Sequence, residues 1–159
     1  MKNTDRILIV ALIAISFALT GCKEESEDNA PAGLSISWTD YNTVDAVQKY
    51  FVCHPATLKS HAGDTIRVSG YCSTSISDMI SHRHMYISNE PGGYIGSSIM
   101  VSLQISSTDF MDSLREMGVD RDKKVNIVGQ VSYTTLPENG YMDDCCGYFL
   151  VVYPYEISI

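Results

Sequence analysis

Five segments that alternate or run apolar, one helical pattern between the third and fourth, and a glycine inside two of them predict a mainly β domain. Three strands, a helix and two strands is the order of a five-stranded Greek-key barrel of the OB-fold type, here with a short helix ahead of it. A seven-stranded sandwich is the alternative, weakened because only five convincing strands can be counted.

The first strand, "TIRVSGYC" (65–72), alternates strictly, with Ile66, Val68 and Gly70 on one face and Arg67, Ser69 and Tyr71 on the other. "HRHMYIS" (82–88) puts Met85 and Ile87 on one face, and "SIMVSLQIS" (98–106) does the same with Ile99, Val101, Leu103 and Ile105. "KVNIVGQVSY" (124–133) buries Val125, Ile127, Gly129 and Val131. The last strand, "YFLVVYPYEISI" (148–159), is rich in β-branched and aromatic residues, and Pro154, lacking an N–H, bends it or places it on an edge. Gly70 and Gly129 give the strong coiling of a small barrel the room it needs.

The helix between strands three and four is "STDFMDSLREMG" (107–118). It has a Ser or Thr cap, Asp109 in its first turn, a stripe of Phe110, Met111, Leu114 and Met117 read as core packing, and Gly118 as its stop. Ahead of the strands, "NTVDAVQKYF" (42–51) reads as a short helix capped by Asn42 or Thr43, with Val44, Val47 and Phe51 on its inner face.

The organisation upstream is that of an exported protein. Lys2 and Arg6 precede the uncharged run "ILIVALIAISFAL" (7–19), and small residues follow at Thr20-Gly21-Cys22. That run is shorter than the roughly 20 residues a spanning helix needs. Residues 1–21 are therefore expected to be a processed signal, 22–36 a flexible acidic tether ("KEESED", then "NAPAGLS"), and 37–159 the domain. Leu19-Thr20-Gly21-Cys22 resembles the lipobox of bacterial lipoproteins, which implies that Cys22 becomes the mature N-terminus and carries lipid. Stable anchoring takes two or more acyl chains, which a lipidated cysteine supplies. Cys22-Lys23-Glu24-Glu25 is similar to the signal that sends lipoproteins of the Bacteroidota to the outer face of the outer membrane.

The whole sequence carries a formal charge of −8. Lys2 and Arg6 against Asp5 contribute +1, and Lys23 against Glu24, Glu25, Glu27 and Asp28 contributes −3, leaving the domain at −6. Its positive charges are scattered rather than striped, which argues against a nucleic-acid partner.

"TVDAV" followed by "GDTIRVSGYC", with "DKKVNIVGQV" late in the chain, resembles the OB-like lipoprotein domains of the Bacteroidota, in which a Thr-Val-x-x-Ala opening precedes a Gly-Asp-x-Val-x-Val-x-Gly-Tyr strand. The resemblance covers residues 43–159 and implies fold and location. Most such domains have no assigned biochemistry.

Candidate site residues follow from chemistry. An even set of cysteines in an exported domain, Cys53, Cys72, Cys145 and Cys146, predicts disulfides. In an OB barrel, the loop after strand one and the loop between strands four and five are expected to lie at the same mouth, where ligands bind. The expectation is Cys72 bonded to one of the vicinal pair and Cys53 to the other; the rival is a Cys53–Cys72 bridge with a Cys145–Cys146 ring. Tyr71, Tyr86, Tyr133 and Tyr141, with Tyr148, fall on or near the same mouth and suit sugars or protein surfaces, although half-buried strand packing is the ordinary role of such residues. His82 and His84, spaced i, i+2, would share a strand face, with His54 and His61 as further possible ligands. No known ligand spacing completes them, so no metal site is predicted.

Asp143-Asp144 and Glu138 sit in the turn-rich stretch 134–147 and read as solvated charges. No nucleophile elbow, phosphate loop or dinucleotide fingerprint occurs, so neither catalytic residues nor a cofactor are predicted. The expected function is a non-enzymatic, lipid-anchored outer-membrane module recognising a glycan through the barrel mouth. The alternative is an accessory protein-interaction subunit of an envelope complex, and a third class is an envelope-stress or inhibitor-type lipoprotein.

Overall fold

The computed structural model describes residues 33–52, 54–93, 98–104, 106–135 and 148–159. The expected signal, the tether up to residue 32, Cys53, and the stretch 136–147 with Tyr141, Cys145 and Cys146 lie outside the described residues.

In chain order the elements are β1 (Asn42–Thr43), α1 (Val44–Phe51), α2 (Pro55–Ser60), β2 (Thr65–Cys72), α3 (Ile76–His82), β3 (His84–Ser88), β4 (Ile99–Ser102), α4 (Thr108–Glu116), β5 (Lys124–Thr135) and β6 (Tyr148–Ser158). The six strands form one mixed sheet ordered β1-β2-β3-β4-β6-β5, and a β2–β5 pairing turns it ring-like. β1–β2 and β4–β6 run parallel, and the other pairings are antiparallel.

The five expected strands are present, and β2 has the bounds read from its alternation. Two additions correct the expected architecture. A two-residue β1 pairs with Val68 and Ser69, and two short helices, α2 and α3, join the two that were expected. Pro55 opens α2, where its missing N–H costs nothing. α3 takes Ser75 as its cap, the Ser75 hydroxyl accepting from the Asp78 amide at 3.2 Å. The helix absorbs His82, which had been assigned to the second strand.

The expected caps hold elsewhere. Thr43 Oγ1 accepts from the Ala46 amide at 3.2 Å to start α1, and Ser107 Oγ accepts from the Phe110 amide at 3.1 Å to start α4. Gly118, at φ 74°, follows the last turn of α4 in the left-handed region. Met111 and Leu114 bury themselves as the stripe predicts, but Phe110 is only partly covered and Met117 is 40% exposed, so the core face of α4 is narrower than its sequence pattern.

The core fills the ring from inside and is capped by α1 and α4. Ile66, Val68, Met85, Ile87, Val101, Val125, Ile127 and Leu114 are fully buried. The glycines inside strands answer to close approach. A Cβ on Gly70 would meet Val44 Cγ2 at 2.7 Å and the Ser88 carbonyl oxygen at 2.8 Å, so the missing side chain lets α1 rest on β2. A Cβ on Gly129 would stand 2.5 Å from the Tyr153 carbonyl oxygen. Pro154 pairs with that same Gly129, and the register shifts there by one residue, from Val128↔Glu156 to Gly129↔Pro154, leaving Tyr155 as the extra residue of a bulge. The proline bends β6, as its sequence position implies. Among the described residues no helix is long and apolar enough to cross a membrane.

Candidate functional site

The strand register decides which expected site residues can meet. Tyr71 pairs with Lys124 at the start of β5, and the Cys72 amide donates to the Lys123 carbonyl at 2.8 Å. Tyr148 pairs with Thr135 at the far end of the same strand. The loop after β2 and the loop between β5 and β6 therefore leave opposite ends of a 12-residue strand, whose straight length is about 36 Å at 3.3 Å per step. The described strand ends from which the two loops depart, Cys72 and Thr135, stand far apart along β5, where one shared mouth was expected.

Cys72 points inward, fully buried, as a free thiol whose Sγ lies 3.1 Å from the Thr74 carbonyl. Burial pushes the thiol up from its ordinary 9.0 to about 11, against the opposing pull of the Thr74 contact. The strand periodicity of 2 puts Cys72 on the same face as Ile66 and Val68. The stapling expected of Cys72 is thus replaced by core packing, and its three expected partners lie outside the described residues.

The tyrosines also separate. Tyr71 and Tyr86 share the outer face of the ring: Tyr71 lies opposite Ser88, and the Tyr86 carbonyl accepts from the Ser73 amide at 2.8 Å, two rungs along. Tyr133, 38% exposed, lies opposite Leu150 toward the other end of β5.

Tyr71 does line a groove, of about 320 Å³, where β1, β2, the end of β3 and the start of β5 converge. Tyr41, Asn89 and Lys124 form its rim with Tyr71, and Asn42, Thr43, Ser69 and Gly70 complete it. The frame is tightly bonded. Asn42 is buried, with Nδ2 donating to the Ser37 and Arg67 carbonyls at 2.7 and 3.0 Å and Oδ1 accepting from the Ser37 amide at 2.8 Å. Asn89 Oδ1 accepts from the Asp45 amide at 2.9 Å, tying the end of β3 to the first turn of α1. Tyr41 stands 47% exposed beside this frame. Two aromatic rings, amide and hydroxyl groups, and a lysine give a surface that can stack on one face of a flat polar molecule and hydrogen-bond its edges. Tyr41, Asn89 and Lys124 were missed in sequence. They come together only through β1 and the β2–β5 pairing, and the two-residue β1 has no periodicity to detect.

The histidines sort into three places, with His54 at the cap position just before α2. His61 joins an aromatic cluster against Trp38, with ring centres 4.6 Å apart, and near Tyr50 and Phe51. Its Nδ1 lies 2.8 Å from Asp64 Oδ2, and its Nε2 lies 3.4 Å from the Tyr50 hydroxyl. Trp38 is held as well by its carbonyl, which accepts from Arg67 Nη1 at 3.1 Å. This cluster latches the segment before β1 onto the domain. His82 and His84 pair on the other side of Arg83, His82 ending α3 and His84 opening β3. Among the described residues no group of three or more metal-ligating side chains forms.

Asp120 ties the start of α3 to the turn that precedes β5. Its Oδ1 accepts from the Arg121 amide at 2.8 Å and the Ile76 amide at 3.0 Å, and these bonds hold its carboxyl below the usual range.

No protein-family model and no curated protein matches the chain. Among solved structures, it is similar to OBody AM3L09 bound to hen egg-white lysozyme, at 20% identity over 63% of this chain and 84% of that one, with a TM-score of 0.41. OBody AM2EP06 bound to hen egg-white lysozyme is similar at 18% identity over 63% of this chain and 82% of that one, again with a TM-score of 0.41. At that score neither likeness bears on what the chain does, and the description of the fold rests on its own strand order.

Proposed function

We propose that the chain is a lipid-anchored binding module of the cell envelope, non-enzymatic, built on an OB-fold-like Greek-key barrel and recognising a glycan. The strand order supports the OB-like reading. With the short β1 set aside, β2-β3-β4-β6-β5 returns to β2, the cyclic order of a five-stranded Greek-key barrel in which the last strand inserts between the third and the fourth. The lipobox-like Leu19-Thr20-Gly21-Cys22 supports the anchor, with Cys22 as its attachment point, and the acidic residues after it support a place on the outer face of the outer membrane.

The observation that carries the ligand class is the groove at Tyr71. Tyr41 and Tyr71 supply aromatic faces, and Asn89 and Lys124 supply polar edges, over a frame fixed by Asn42. Sugars present the matching pair of surfaces, an apolar ring face and a hydroxylated rim. Recognition therefore takes place on the outer face beside β1, and not at a mouth shared by two loops. Tyr86 extends the same face, whereas Tyr133 lies apart from it. Screening the full-length protein in detergent micelles against a panel of bacterial, plant and host polysaccharides tests this reading. A saturable hit supports it, and a blank across the panel refutes it.

The second reading is an accessory protein-interaction subunit. Tyr155 and Ile159, each 58% exposed, are the most exposed large apolar residues among those described, and both lie toward the end of β6. Cross-linking in intact envelopes that captures one partner through this end, together with a blank glycan panel, would favour it.

A further inference from the structure

We infer that the groove takes an acidic sugar, a hexuronate unit lying on the Tyr71 ring with its carboxylate against the Lys124 ammonium. The inference rests on the glycan reading of the groove and narrows it to one charge class. Register places the two groups together. Tyr71 and Lys124 are direct partners in the antiparallel β2–β5 ladder, and side chains so paired leave the same face with Cβ atoms about 4.5–5.5 Å apart. The alternation that buries Gly70, Cys72 and Val125 turns both of them outward, into the groove.

The local charge is positive and unspent. Among the described residues Lys124 is the one ionised side chain lining the groove, and nothing bonds its ammonium. The acids nearest to lining residues in the chain are occupied elsewhere. The Asp40 carboxylate accepts from the Ser37 hydroxyl at 3.0 Å, Asp45 pairs with Lys49 at 2.8 Å, and Asp122 accepts from the Gly92 amide at 2.6 Å. Glu90 follows Asn89 but does not line the groove. The domain's net −6 acts at longer range and is screened beyond about 8 Å at physiological salt.

The rim offers donors. Asn89 Oδ1 is taken by the Asp45 amide, which leaves its Nδ2 to donate. Thr43 Oγ1 accepts from the Ala46 amide, which leaves its hydroxyl proton free. With the Lys124 ammonium these are donors around an aromatic face, and an ionised carboxylate can only accept. In glucuronate, galacturonate and mannuronate the carboxylate stands equatorially at the ring's edge. A ring stacked on Tyr71 therefore presents it sideways, toward the neighbouring strand and Lys124.

The test measures the affinity of the full-length protein in detergent micelles for polygalacturonate, polymannuronate and hyaluronan, each beside its carboxyl-reduced form. Neutral polysaccharides and dextran sulfate complete the series. At least one uronate polymer should bind about fivefold or more tightly than its reduced form, and 0.5 M NaCl should shrink that ratio. Lys124→Gln should bring the ratio close to one, and Lys124→Arg should keep it. A neutral polysaccharide bound through Tyr71, with no preference for any uronate, would overturn this inference and leave the glycan reading standing. A blank across every polymer would overturn both. A ratio unchanged in Lys124→Gln, or dextran sulfate bound as tightly as the best uronate, would overturn the assignment of the carboxylate to Lys124.

Discussion

Replacing Gly129 by Ala places a methyl carbon 2.5 Å from the Tyr153 carbonyl oxygen, 2.7 Å from Val152 Cγ1 and 3.0 Å from Pro154 Cα. Two of these three neighbours are backbone atoms of β6, so no rotamer change can relieve the contact. β5 and β6 must separate at the bulge, at the middle of their long ladder. Overpacking of this kind costs about 1–3 kcal/mol. With a urea m-value of about 1–3 kcal/mol/M, the unfolding midpoint should fall by roughly 1 M with m unchanged. Gly118→Ala is the control. That residue also departs from ordinary backbone geometry, at φ 74°, but has nothing within 4 Å of the added carbon, so it should lose only about 1–2 kcal/mol of left-handed strain. The β5–β6 ladder carries the sheet from β4 and β6 to β5, whose second pairing with β2 closes the ring. A Gly129→Ala protein as stable as wild type would refute the close approach, and with it the ring-like pairing.

Further outcomes follow from the same contacts. Cys72, buried with its thiol raised from 9.0 to about 11, contributes stability that is complete below pH 9 and lost as pH rises toward 11. Chemical denaturation across that range should show a decline that Cys72→Ala flattens, and the Cys72 thiol should resist alkylation at pH 8 until the protein unfolds. His61→Ala removes the ring stacked on the only tryptophan, so Trp38 emission should shift to the red and stability should fall by about 1 kcal/mol. Ser107→Ala removes the hydroxyl that starts α4 and should cost about 1 kcal/mol, measured by denaturation. Cys22→Ala should move the protein from the membrane fraction to the soluble fraction on cell fractionation, and retention at the membrane would contradict the proposed anchor.

The sequence made visible whatever depended on short-range periodicity. β2 and β5 show through their alternation, α4 through its cap and Gly118, and the inner face of α1 through Val44, Val47 and Phe51. The bend at Pro154 was legible because a missing N–H has one consequence in a ladder. α3 escaped because its seven residues, about two turns, are too brief to show a 3.6-residue period, and its last residue, His82, also continues the pattern of β3. The candidate site was harder still. Tyr71 was read as a ligand contact, but its neighbours Tyr41, Asn89 and Lys124 lie 30, 18 and 53 residues away in the chain and meet it only through tertiary pairing. The inward turn of Cys72 was already present in the alternation that buries Ile66 and Val68, yet the cysteine count pointed to disulfides instead. Compartment chemistry and strand parity made opposing demands on one residue, and parity prevails in the structure.

The central claim is that the chain binds a glycan in the groove beside β1. The measurement that meets it most directly is the affinity of the full-length protein for its best panel polysaccharide, compared between wild type and Tyr71→Ala, with Tyr133→Ala as the distant control. Loss of one stacked ring on the order of 1.4 kcal/mol corresponds to about tenfold weaker binding. The account predicts that loss for Tyr71→Ala and none for Tyr133→Ala. Equal affinity in wild type and Tyr71→Ala, or a loss confined to Tyr133→Ala, would contradict it.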